Sequence, residues 1–198
     1  MAQVTVSLGS NIAPEQHIRL CLDALHAEFG ELAISRVFES EPVGFHDSRN
    51  FYNLVVAFDS DRSPGELQAW GKRLEIAHGR RADTPKYSPR ALDIDLLTVG
   101  ELCGEYDGVT LPRADITHNA FVLQPLAELL PAARHPRSGI AYRQLWQAFD
   151  VGSQRLWPVD FYWNGKWISR TQPACAGSRA SFRMVNESFD HTRARADV

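Results

Sequence analysis

The hydrophobic pattern in the first half of the chain changes period in a fixed order, and that order limits the fold more than any single motif does. Val4, Val6 and Leu8 alternate with Thr5 and Ser7, the two-residue repeat of a half-buried strand. Gly9-Ser10-Asn11 breaks the repeat, and Pro14 stands where a helix can begin. Ile18, Leu22, Leu25 and Phe29 then recur at helical intervals until Gly30 stops the run. Residues 34–40 return to alternation and predict a second strand, with Ile34, Arg36 and Phe38 on one side and Ser35, Val37 and Glu39 on the other. "FYNLVVAF" (51–58) reads as a third, nearly continuous strand. Ser63-Pro64-Gly65-Glu66 is a capping box: Ser63 caps, Pro64 takes the first helical position, and Glu66 reaches back. Leu67, Trp70 and Leu74 line one face of the helix it opens, and Gly79 ends it. "ALDIDLLTV" (91–99) predicts the fourth strand.

Strand, helix, strand, strand, helix, strand is the split βαβ order of an α+β, ferredoxin-like βαββαβ core. "FVLQPLAELL" and "YRQLWQAF" predict additional C-terminal helices covering the sheet. Residues 1–150 are therefore expected to form the functional domain. Residues 151–198 are expected to form an aromatic arm, "LWPVDFYWNGKWI", followed by a poorly ordered tail poor in large apolar groups. At 198 residues the chain can bury a full core. A net charge of −3 argues against binding nucleic acid over the whole surface. No stretch approaches the roughly 18 apolar residues a membrane span needs. No signal peptide is visible at the start, and Cys21, Cys103 and Cys175 form no CxxC pair. The expectation is a cytoplasmic monomer or weak dimer without membrane or nucleic-acid partners.

Asp93 and Asp95 are the sharpest chemical signal. Residues i and i+2 of a strand face the same way, roughly 7 Å apart, so two carboxylates share one face while Ile94 and Leu96 hold the other. Like charges that close raise each other's cost of ionisation unless a cation lies nearby. Oxygen-only donors suit Mg²⁺, which takes one or two carboxylates and completes its shell with water and phosphate oxygens. Two such ions can clamp the attacking and leaving oxygens of a phosphoryl transfer. Immediately upstream, residues 80–90 carry Arg80, Arg81, Lys86 and Arg90 against one acid, Asp83. Guanidinium forks match phosphate oxygens, so this loop suits a polyphosphate clamp. Pro85 and Pro89 limit its freedom, and Tyr87 can stack on a base or simply pack.

"YSPRALDIDLL" resembles the signature of the 6-hydroxymethyl-7,8-dihydropterin pyrophosphokinase family of folate biosynthesis. "SLGSN", "SEPVGF", "FYNLVVAF", "LEIAHGR" and "AFVLQPLAEL" follow the family's order over residues 4–136. The resemblance implies transfer of a pyrophosphoryl group from ATP, as co-substrate, to the pterin hydroxymethyl oxygen, with release of AMP and two Mg²⁺ ions. It implies that Asp93 and Asp95 hold the metals and that Arg80 and Arg90 contact the triphosphate. Glu75 and Thr110 are implied on the nucleotide side, where Lys86 and Tyr87 of the basic loop and the charge of Arg113 are also expected. Ser40, Pro42, Val43, Phe51, Asn53 and Phe121 are implied around the pterin. Asn53, an amide inside an apolar strand, needs hydrogen-bonding partners that a flat heterocycle could supply.

Two positions depart from the family pattern. A Pro-His pair is common after the Asp-x-Asp strand, and here it reads Pro112-Arg113; an Arg before the "AFVL" segment is absent, leaving Asn119-Ala120-Phe121. These departures motivate an alternative reading, a paralogue that binds a pterin or nucleotide without turnover or with altered specificity. An RNA platform on the same sheet is disfavoured, because neither "FYNLVVAF" nor "ALDIDLL" contains the Lys/Arg-Gly-aromatic motif of RNA-recognition domains.

Overall fold

The structure is a computed structural model that describes residues 1–42, 49–80, 89–152 and 154–171. In chain order the elements are β1 (Ala2–Ser10), α1 (Pro14–Phe29), β2 (Ala33–Ile34), β3 (Phe38–Ser40), β4 (Phe51–Ser60), α2 (Pro64–Ala77) and β5 (Asp93–Val99). There follow β6 (Gly104–Tyr106), β7 (Val109–Leu111), α3 (Asp115–His118), α4 (Ala120–Leu129), α5 (Tyr142–Gln147), β8 (Leu156–Pro158), β9 (Phe161–Trp163) and β10 (Lys166–Ser169). The main sheet runs β5-β1-β4-β3-β8, with β2 also on β4, and its ladders are antiparallel.

The capping box of α2 is present as read. Ser63 Oγ accepts from the Glu66 amide, and Glu66 Oε2 accepts from the Ser63 amide at 2.8 Å. One sheet face is covered by the apolar sides of α1 and α2, where Ile18, Leu22, Leu25 and Leu67 meet Val6, Leu8 and Ile94. Val55 and Leu97, on the opposite face, pack with Ile116 of α3 and Val122, Leu123 and Leu126 of α4. Each face thus has its own core, and the sheet is buried near its middle.

The strand expected over residues 34–40 is broken in two. Ile34 faces Val56 and Phe38 faces Asn53, so residues 35–37 lie opposite only residues 54–55, the surplus residue of a β-bulge. Ser35 causes the break: its Oγ accepts from the Val55 amide at 2.9 Å, taking the place of a ladder carbonyl. Neighbours Val37 and Phe38 are both fully buried, because the sheet is covered on both faces.

Beyond residue 150, β8 pairs with β3 at the sheet edge. β9 and β10 form a hairpin turned by Asn164 and Gly165, both at positive φ. Phe161 and Trp163 of that hairpin enter the core against α1, and Trp163 Nε1 donates to Asp23 at 2.7 Å. The tail expectation concerns mainly residues 172–198, which lie outside the described residues, as does Cys175.

Candidate active site

Register assembles the site before any side chain is considered. Directly opposed residues in an antiparallel sheet share a face. Asp93 lies opposite Gly9 and Asp95 opposite Ser7. Gly9 in turn faces Asn53, Asn53 faces Phe38, and Phe51 faces Ser40. Asp93, Asp95, Ser7, Gly9, Phe51, Asn53 and Ser40 therefore stand on one face across four strands. Ile94 and Leu96 turn to the opposite core, so the strand is anchored by one side and presents its carboxylates on the other. Gly9 forms the floor: a Cβ there would stand 3.6 Å from Asn53 Oδ1 and 3.8 Å from the Asp93 Cβ, filling the depression between them.

The carboxylates are held by arginines. Arg80 and Arg90 both reach Asp93 Oδ1, at 3.0 and 2.6 Å. Arg113 pairs with Asp95 at 3.0 Å and with Asp115 at 2.5 Å. Burial, followed by the charge of Asp93, pushes the Asp95 carboxyl up to about 6, while Arg113 and Lys72 pull it down. Asp95 therefore ionises reluctantly, and an added cation would favour its charged form.

Glu75 sits behind this row. Its carboxylate is fully buried, accepts from the Ile94 amide at 2.7 Å, and pairs with Lys72 at 3.0 Å and Arg80 at 2.5 Å. It lines neither cleft. The structure places it as the post that fixes Arg80 and couples α2 to β5. The Gly9-Ser10-Asn11 corner has a comparable task. Asn11 Oδ1 accepts from the Arg90 amide at 2.7 Å, the Arg90 carbonyl accepts from the Asn11 amide at 3.0 Å, and Ser10 Oγ donates to the Ala91 carbonyl at 2.6 Å. A strand-end turn thus becomes a clamp on the backbone that presents Arg90.

Two clefts meet at the aspartates. One, of about 840 Å³, is cationic and polar, with Lys72, Arg80, Arg90, Arg113 and Thr110 on its walls. The other, of about 430 Å³, has Ser40, Phe51, Asn53 and Phe121 on its walls. Arg90, Asp93, Asp95, Arg113, Asp115 and His118 belong to both. Asn53 Nδ2 donates to Ser40 Oγ at 2.9 Å, which fixes the amide's orientation in the second cleft. Pro42 is half-buried but lines neither cleft; Val43, Lys86 and Tyr87 lie outside the described residues. Sequence reasoning missed Lys72 and Asp115. Lys72 lies one helical turn before Glu75, and Asp115 two residues after Arg113, so charge spacing carried both signals.

Residues 5–131 match the profile of the family described as 7,8-dihydro-6-hydroxymethylpterin-pyrophosphokinase. The chain belongs to this family. The 2-amino-4-hydroxy-6-hydroxymethyldihydropteridine pyrophosphokinase of Pseudomonas aeruginosa is 36% identical over 137 residues, covering 68% of this chain and 84% of that protein. The protein of the same name from Bacillus subtilis is 31% identical over 127 residues, 63% of this chain and 75% of the relative. Among solved structures, a Plasmodium falciparum HPPK-DHPS triple mutant with pteroate shares the fold at TM-score 0.58 and 13% identity, over 74% of this chain. This chain spans 43% of that longer protein.

The family-model match ends at residue 131, before part of the site's support. Gln154 Oε1 accepts from the Ala120 amide at 2.8 Å, and its Nε2 donates to the His118 carbonyl at 3.0 Å. Asn119, the residue between them, makes no side-chain cap to α4 and donates instead to Asp115 Oδ1 at 2.7 Å. Gln154 therefore caps α4 from outside the matched segment and fixes the joint between His118 and Phe121. Among the described residues no cluster of three or more His, Cys, Asp or Glu is pre-assembled around a metal. Asp93 and Asp95 nevertheless supply two hard oxygen donors on one face beside a cationic cleft, which fits a divalent ion that completes its shell with water and phosphate. No helix among the described residues is long and apolar enough to cross a membrane.

Proposed function

We propose that this chain transfers the β,γ-pyrophosphoryl group of ATP to the hydroxymethyl oxygen of 6-hydroxymethyl-7,8-dihydropterin, in a Mg²⁺-dependent reaction that releases AMP. The observation that carries the reading is the placement of Asp93 and Asp95 at the junction of a cationic cleft and a cleft bearing two aromatics and a fixed amide. In the first cleft Arg80, Arg90, Arg113 and Thr110 receive the nucleotide. In the second, Asn53 hydrogen-bonds the pterin edge while Phe121 and Phe51 face its rings, with Ser40 holding Asn53. Two Mg²⁺ ions bound through Asp93 and Asp95 supply charge neutralisation and alignment for the phosphoryl group.

The hydroxymethyl oxygen forms the new bond to the β-phosphorus. The bond from that phosphorus to the oxygen bridging to the α-phosphate breaks, AMP departs with the electron pair, and the hydroxyl proton passes to water. Little covalent work falls to the protein, so positioning and electrostatics dominate. Arg80 and Arg90 are stationed at Asp93 Oδ1, beside the transferred group, and exchange this carboxylate for phosphate oxygens as the nucleotide binds. Asp115 and Arg113 form a second charged pair on the same wall. We read the β5-β1-β4-β3 order with its two crossover helices as the ferredoxin-like arrangement, with residues 1–150 as the catalytic unit and 151–171 as its brace. A cytoplasmic enzyme, monomeric or weakly dimeric, accords with this reading.

A non-catalytic, pterin- or nucleotide-binding paralogue is favoured by one feature: Asn119 stands where the family commonly has an Arg and is engaged with Asp115. Purified protein given ATP, Mg²⁺ and the dihydropterin decides between them. Pterin-dependent AMP, abolished in Asp95→Ala while the circular dichroism spectrum is kept, is the expected result. Saturable binding of both substrates without AMP would establish the paralogue. Retained turnover in Asp95→Ala would sink the metal assignment.

A further inference from the structure

Most of the cations in the larger cleft already have a carboxylate. Lys72 is paired with Glu75, Arg80 with Glu75 and Asp93, Arg90 with Asp93, and Arg113 with Asp95 and Asp115. Arg137 lines the same cleft and, among the described residues, has no ion pair. It lies beyond the family-matched segment, which ends at residue 131.

The turn that presents Arg137 is well braced. The His135 amide donates to the Ile140 carbonyl at 2.9 Å and the Gly139 amide to the His135 carbonyl at 2.8 Å. Arg134 donates to the Gly139 carbonyl at 2.7 Å, and Gly139, at φ 68°, supplies the left-handed residue that closes the turn. His135 is buried against Tyr142, ring centroids 6.3 Å apart and edge-on, and its Nδ1 accepts from the Ser138 amide. With Nδ1 accepting, the neutral ring carries its proton on Nε2. Burial, and after it the Arg137 charge, lowers the pKa of His135, which favours this neutral form. Pro136 fixes one dihedral immediately before Arg137. The turn is thus a stiff arm bearing an unpaired guanidinium on a cleft wall.

We propose that Arg137 binds a phosphate of the nucleotide and supplies, from outside the family-matched segment, a cation that the Asn119 position does not. This rests on the nucleotide reading of the cleft given above. A paired guanidinium must exchange its carboxylate for a phosphate, whereas an unpaired one gains the whole charge-assisted contact. Among the described residues, five cations against three carboxylates line the cleft. Removing Arg137 takes half of that surplus and disturbs no internal pair.

The test is calorimetric titration of ATP with Mg²⁺ into the wild type, Arg137→Gln and Arg137→Lys, beside titration of the dihydropterin and an assay of AMP release. Arg137→Gln is expected to weaken ATP about tenfold, the scale of one charge-assisted hydrogen bond. Arg137→Lys is expected to recover part of the loss, with dihydropterin affinity and melting temperature unchanged. Wild-type ATP affinity in Arg137→Gln would overturn the proposal, as would equal weakening of both ligands, the mark of a distorted fold. If the wild type binds ATP but releases no AMP with the pterin, the transferase reading fails while the comparison of affinities still judges Arg137. A wild type that binds no ATP would overturn both.

Discussion

The two clefts flanking Asp93 and Asp95 are built by different physics. The aromatic and amide cleft is set by sheet register: Ser40, Phe51, Asn53 and Gly9 occupy ladder positions, and backbone hydrogen bonds fix where each side chain starts. The cationic cleft is set by ion pairs among half-exposed side chains, including Arg80 and Arg90 on one oxygen of Asp93. The first is preformed, so a ligand gains affinity there without rearranging the protein. The second would have to exchange partners to receive the proposed phosphate chain, and its strength depends on charge and ionic conditions. On the proposed reading, discrimination of the ring would rest on strands, and the power of the reaction on a charge network.

The largest effect should come where the clefts meet. Asp93→Ala removes the shared anchor of Arg80 and Arg90 together with a proposed metal donor, and AMP release should fall by about a thousandfold. Dihydropterin affinity measured separately should change far less; an equal loss of both would erase the distinction between the clefts. Next comes Asn53→Ala, which removes an amide from the preformed side. It should weaken dihydropterin about thirtyfold, from a loss of about 2 kcal/mol, and leave ATP affinity alone. Weakened ATP binding in this variant would show that the clefts are coupled through the sheet.

Glu75→Gln tests whether the charge network is also structural. Breaking a buried ion pair costs about 3–5 kcal/mol when both partners are enclosed. Lys72 and Arg80 are partly solvated, at 42% and 28% side-chain exposure, which lowers the expected loss to about 2 kcal/mol in urea unfolding. No change in the midpoint would mean the cations are satisfied by water.

Asp95 gives a pH-dependent case. Its carboxyl is raised to about 6 in the folded protein, above its ordinary value of 3.8, so the folded form binds the proton more tightly than the unfolded chain does. Its contribution to stability is present below the unfolded value and is lost as pH rises through about 6. Without Mg²⁺, Asp95→Asn should therefore melt about 3 °C above wild type at pH 7 and show little advantage at pH 4. Added Mg²⁺ should raise the melting temperature of the wild type alone. An advantage that does not shrink toward pH 4 would remove ionisation as its cause. The smallest effect is expected of Gln154→Ala, which uncaps α4 at a cost of about 1 kcal/mol. Its Michaelis constant for the pterin should rise severalfold through Phe121, with Gln154→Glu restoring one of the two bonds. An unchanged constant would leave Gln154 with a role in stability alone.

Much of the site was legible because its signals are local. Asp93 and Asp95 share a face for the simple reason that strands repeat every two residues, and Ser63 with Glu66 names a helix start in four letters. The break at Ser35 was not legible, because a serine hydroxyl replacing a ladder carbonyl depends on which amide lies opposite. The hairpin of the C-terminal arm could have been read, since Asn164-Gly165 between aromatics is a strong turn signal. Arg137 could not: nothing in "RHPRSG" says which wall its loop meets.

The sequence alone determined the order and type of the main elements, the mixture of helices and strands, and the two-carboxylate face, since each depends on residues a few positions apart. Tertiary structure alone decided who pairs with whom. It gave Glu75 to Arg80 and the Ile94 amide, Arg113 to Asp95, Asn11 to Arg90 and Gln154 to α4. Those partners are five to seventy-nine residues apart in the chain. Local propensity carries no information at the longer of these separations; sheet register and helix packing set the distances, and Coulomb attraction then selects among the charges brought within reach.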